Sequence, residues 1–174
     1  VLHTIELMRC AELEDYLHDA CVRPGARIES IANRTAVIYV VPFSDRLELL
    51  VGFPDGGKAF RLERFRSEVS KAELKRTTEN LRDLLETRLT YDFTEPAQKL
   101  HEWLIGPLLS ALRAHRIDTL VVVPDGTLRT IPIAALYDGR QFLVEQFANA
   151  VSPGLTLIDP KTIRWNKASL LVGA

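Results

Sequence analysis

At 174 residues the chain has room for one domain with its own core, and it needs neither metal nor disulfide staples to hold that core together. Hydrophobic residues at 47% and charged residues at 26% match an ordinary globular protein. A formal net charge of -1 supplies no pull toward nucleic acid or an anionic membrane, so neither is expected as a partner.

The first predicted element is an amphipathic helix from Thr4 to Val22. Cys10, Leu13, Leu17 and Cys21 recur at helical spacing, with Glu12, Glu14, Asp15 and Asp19 on other faces. Arg23-Pro24-Gly25 stops it. The helix opens without a clean cap, so residues 1–31 are expected to be helix and linker continuing from an upstream helical region. Cys10 and Cys21 would lie roughly 16 Å apart along such a helix, too far for a disulfide. Few cysteines and no leading basic-plus-apolar segment predict a cytoplasmic protein. Apolar runs such as Leu120 to Pro124 and Leu170 to Ala174 fall far short of the roughly 20 residues of a membrane span.

Three strands follow, over Thr35 to Val41, Leu47 to Phe53 and Ala59 to Phe65, each rich in β-branched or aromatic residues. The separators Pro42-Phe43-Ser44-Asp45 and Pro54-Asp55-Gly56-Gly57 carry turn chemistry, which predicts an antiparallel meander. Leu47, Leu49 and Val51 share one face, as do Phe60, Leu62 and Arg64 on the next strand, so one side of the meander is expected to be solvated.

Ser70 followed by Glu73 has capping-box spacing and starts a helix through Leu89, with Leu74, Leu81, Leu84, Leu85 and Leu89 on one stripe. Thr94 with Pro96 opens a second helix to about His115, striped by Leu100, Trp103, Leu104, Leu108 and Leu112 and kinked at Gly106-Pro107. In the last third, Thr119 to Val123 and Leu170 to Val172 are apolar on both faces and predict strands buried between layers. Pro124-Asp125-Gly126-Thr127 and Tyr137-Asp138-Gly139-Arg140 read as turns, and Phe142 to Ala150 as a strand.

The segment from Leu120 through Pro124, Gly126, Leu128, Pro132, Ala135 and Leu136, followed by Phe142-Leu143-Val144-Glu145 and then Val151-Ser152-Pro153, resembles the start of the CHAT domain. The pattern is a buried strand, a Pro-x-Gly-x-Leu turn, a Pro-x-x-Ala-Leu element, an aliphatic strand with an acidic residue, and a later Ser-Pro. Thr35 to Val41 with Arg46 to Val51 resembles the strand pair that precedes it, so the likeness runs over about Ala32 to Ala174. Ile133 stands where the family more often has Phe, and Gly154 where Ser commonly follows the Pro.

The resemblance implies a caspase- and separase-like α/β fold, often joined to tetratricopeptide repeats, and a cysteine endopeptidase with a His and a Cys at strand ends. No residue here matches that pair. The expectation is therefore that both lie beyond Ala174, and no catalytic residue is assigned. In such a site the thiolate attacks a carbonyl, a nearby His moves protons, and backbone amides stabilise the oxyanion.

Other candidates have plainer readings. Glu14, His18 and Cys21 could meet on one helix face, but a mid-helix nucleophile has no oxyanion hole. His3, His101 and His115 lack a second ligand type at metal spacing, so no metal or cofactor is expected. Asp125 follows a buried strand, where α/β sheets present ligand groups, although a turn with Gly126 at positive φ suffices to explain it. Arg61, Arg64, Arg66 and Lys71 are interleaved with Glu63 and Glu68 and read as a solvated face, while Trp103 and Trp165 read as packing residues.

The sequence thus predicts an α/β chain: a small antiparallel β-meander plus a helix pair leading into a mixed or parallel sheet with flanking helices, the N-terminal portion of a caspase-like fold over residues 32–174. Expected partners are a protein substrate or regulatory protein and the C-terminal remainder of its own domain. A catalytically inactive signalling or scaffolding module and a small-molecule-binding α/β domain are the alternatives.

Overall fold

The computed structural model describes residues 4–8, 11, 34–55, 59–87 and 92–154. By contacts the chain divides into two units, Ile31–Pro153 and a second made of Val1–Ser30 with Gly154–Ala174. In the second unit residues 4–8 are helical. The rest of the helix predicted to Val22, with Cys10, His18 and Cys21, lies outside the described residues. So do His3, Trp165 and the strand at Leu170 to Val172.

The first unit is built on a five-stranded sheet of order β3-β2-β1-β4-β5. β1 (Thr35–Pro42), β2 (Leu47–Asp55) and β3 (Ala59–Ser67) form the antiparallel meander that the turn residues predict. β4 (Thr119–Val123) then pairs parallel with β1, and β5 (Ala148–Val151) parallel with β4. Arg34 sets the first parallel register. Its carbonyl accepts the Asp118 and Thr119 N–H groups at 3.0 and 3.3 Å, and its guanidinium meets Asp118 at 3.0 Å.

One sheet face carries Ala36, Ile38, Val40, Leu47, Leu49, Val51, Leu120 and Val122, all buried. Helices cover it: α1 (Lys71–Thr87) through Leu74 and Leu81, α2 (Thr94–Leu104) through Leu100 and Leu104, and α3 (Leu109–Ala114) through Leu112. Each such leucine contributes about 1.5–3 kcal/mol on leaving water. The Ser70 hydroxyl accepts the Glu73 N–H at 3.2 Å at the head of α1. The expected kink at Gly106-Pro107 is a break, with the 3-10 turn Gly106–Leu108 separating α2 from α3.

Two expectations need correction. The middle strand is not solvated on its second face: Glu48 is 3% exposed and Leu50 8%. Leu50 lies opposite Tyr39, and the side chains of Arg46 and Arg64 close over Glu48. Within the meander it is β3 that turns a solvated face outward, with Leu62, Arg64 and Arg66 exposed. The second correction falls on Phe142 to Ala150, which is not one strand. Leu143–Gln146 is a helical turn, α4, and only Ala148–Val151 is extended. Glu145 reaches back to accept the Phe142 N–H at 2.6 Å, and Phe147 N–H closes on Leu143 O at 2.9 Å. Leu143 is buried and Val144 exposed, an in-out pair that reads as strand alternation in the sequence.

Candidate functional site

β1, β4 and β5 run parallel, so their carboxyl ends share one edge, where α/β sheets hold their ligands. Each ends beside a proline: Pro42 in β1, Pro124 after β4, and Pro153 after Ser152 and β5. The Ser152 N–H donates to Val122 O at 2.9 Å, which carries the ladder to the last position before Pro153.

Beyond Pro42 the Phe43–Arg46 turn closes with Phe43 N–H on Arg46 O at 2.8 Å, and the Arg46 guanidinium stands 4.7 Å over the Phe43 ring. Arg46 also meets Asp45 and Glu48, at 3.0 and 2.8 Å. Glu48 takes two further bonds from Arg64, and these guanidiniums, Arg64 first, hold its carboxyl down to about 2. Beyond Pro124, Gly126 adopts φ +52, as its place in the turn requires, and begins the 3-10 turn Gly126–Thr130. Asp125 is partly exposed there, 3.9 Å from Arg129, whose Nε donates to Pro124 O at 3.3 Å.

The other sequence candidates do not converge on this edge. His101 is buried in α2. His115 caps α3, stacks on Phe53 at 4.3 Å and lies 3.7 Å from Glu63. It sits beside the N-terminal ends of the parallel strands, since Phe53 is on an antiparallel neighbour. Arg61 pairs with Glu63 at 3.2 Å and Arg66 with Glu68 at 2.8 Å. Trp103 packs half-buried against the core, and its carbonyl accepts the Ser67 hydroxyl at 2.6 Å. Among the described residues no three His, Cys, Asp or Glu side chains gather as a metal site would require. A polar groove of about 380 Å³ opens between α1 and α2, lined by Glu73, Arg76, Asn80, Glu95 and Lys99 among others. No described helix is long and apolar enough to cross a membrane.

The arginine clamp on Glu48 escaped the sequence reading. Arg46 and Glu48 two apart signal one strand face, but Arg64 joins them only through the β2–β3 register.

The residues that carry the sequence motif take structural places. Leu128, Ile133, Leu136 and Leu143 are all buried in the core, and the two turns between them supply the crossover from β4 to β5. Residues 94–174 match the CHAT domain. No curated protein matches the chain. The CHAT match starts at the first residue of α2 and takes in β4, β5 and the carboxyl ends of both strands. It is the family that the sequence motif resembles, over the part of the likeness that begins at Thr94. The meander and α1 precede the matched residues.

Proposed function

We propose that this chain is the N-terminal part of a CHAT-type, caspase-like cysteine endopeptidase domain that acts on a protein substrate. The observation that supports the reading is the coincidence of the CHAT match with a parallel β4–β5 pair whose carboxyl ends meet that of β1 at one edge. In this role the described residues are a scaffold. The sheet fixes an edge, the Phe43–Arg46 and Pro124–Arg129 turns wall it, and the His and Cys come from polypeptide beyond Ala174. The thiolate would attack the scissile carbonyl, with the His taking and returning the proton.

The test is cleavage of a peptide library by the full-length protein, with each cysteine after Ala174 replaced in turn by Ala. Cleavage lost in one variant supports the peptidase. No cleavage by the parent protein, or cleavage indifferent to every substitution, refutes it and favours a scaffolding role. Stabilisation by a small metabolite that fills the α1–α2 groove would favour the binding-domain reading instead.

A further inference from the structure

His101 is a buried titratable ring that the proposed chemistry does not use. It is 4% exposed, and its Nε2 has no hydrogen-bond partner. An unsatisfied buried polar atom is costly enough to need a reason. Two contacts place the 137–142 turn against this stretch of α2. The Tyr137 N–H donates to Ala97 O at 3.4 Å, and the Gln98 amide lies 3.6 Å from where a Cβ on Gly139 would stand.

Asp138 organises that turn. Its Oδ1 accepts the Arg140 and Gln141 N–H groups at 2.7 and 2.8 Å, and its Oδ2 accepts Gln146 Nε2 at 2.8 Å, tying the turn to α4. Leu143 N–H, donating to Leu136 O at 2.8 Å, closes the same loop across its base. Two charges act on the His101 ring, Asp138 from the turn and Glu102 from its own helix, and both favour a proton there. Burial opposes them and wins, so the ring titrates below its ordinary value. Asp138 is held below the usual carboxylate range by the Gln141 and Arg140 amides and stays ionised throughout.

We propose that His101 and Asp138 form a proton-operated latch on the 137–142 turn. With the ring neutral, Asp138 is left to the turn amides and the turn is shut. A protonated ring carries a buried N–H without an acceptor, and of the two carboxylates that act on it Glu102 is the next residue on the same helix, where neighbours do not face each other, whereas Asp138 comes from the turn packed on this stretch of α2. The carboxylate leaves the Arg140 and Gln141 amides to meet the ring, and the turn opens before the domain unfolds. What it releases is the approach to α4 and β5, the outer strand of the described sheet.

The experiment is an NMR titration of the protein from about pH 7.5 to about pH 5, following the His101 ring and the Arg140 and Gln141 amides together. The expected result is one shared midpoint, with amide exchange protection falling about tenfold beyond the intrinsic pH effect. In H101Q the protection stays flat over the same range. Amides that remain protected while the ring titrates overturn the latch, as does a ring that takes no proton before global unfolding. Should H101Q fail to fold, the wild-type midpoints decide the matter alone.

Discussion

Arg64 of β3 reaches diagonally across to Glu48 of β2 and grips it with two hydrogen bonds of 2.6 Å, one to each carboxylate oxygen. Arg46, on the same face as Glu48, completes the clamp at 2.8 Å. The carboxylate is buried while Arg64 remains largely exposed, so the pair is a lid at the sheet margin and not a core ion pair.

This clamp sets an acid limit on stability. Glu48 in the fold is held at about 2 against an ordinary 4.5, so its contribution is fully present above pH 4.5 and is lost as the pH falls from there toward 2. E48Q should melt a few degrees below the wild type at neutral pH and should show less loss on acidification. Thermal melts across that range check this, and parallel curves for the two proteins would contradict it.

Leu128 lies in the turn that matches the CHAT pattern, yet its side chain is 1% exposed and belongs to the core. L128A should cost about 2–5 kcal/mol by urea unfolding, and L128M under about 1.5 kcal/mol. A mild L128A would mean that the residue is there for something other than packing.

Gly126 separates space from conformation. A Cβ there would meet nothing within 4 Å, but φ is +52. The cost of G126A is therefore backbone strain alone, about 1–2 kcal/mol, and G126N should recover part of it because Asn tolerates that region. Equal stability of all three proteins would show that the turn relaxes.

S70A removes the acceptor for the Glu73 N–H at the head of α1 and should cost about 1 kcal/mol. Chemical denaturation measures it, and an unchanged midpoint would mean that water replaces the cap.

Much of this fold was legible because local chemistry and tertiary demand agree. Thr35 to Val41 is β-branched and bounded by Pro42, and it forms β1; Thr119 to Val123 forms β4 residue for residue. The Gly106-Pro107 break follows from a missing N–H. Where the reading failed, the deciding partner was remote or ambiguous. Glu48 looks like a solvated strand residue until Arg64, sixteen positions away, folds over it. Leu143 and Val144 alternate like a strand, yet the Glu145 carboxylate caps the Phe142 N–H and the Phe147 N–H closes on Leu143 O, so the segment is a helical turn. His101 lies outside the predicted stripe of its helix, and its burial with Nε2 unpartnered is visible only in the folded chain.

Pro42, Pro124 and Pro153 close three neighbouring parallel strands at one edge. A proline has no N–H. At these three points the frame can offer a substrate carbonyl oxygens but no donors, whereas acyl transfer needs donors aimed at the developing negative oxygen. On the proposed peptidase reading, the oxyanion donors would have to come from groups other than these three backbone positions. The part of the proposed domain described here would then contribute chiefly a rigid edge. The prolines thus silence the backbone where each parallel strand stops, and whatever polarity the edge has comes from side chains such as Arg46 and Arg129 in the turns beside it.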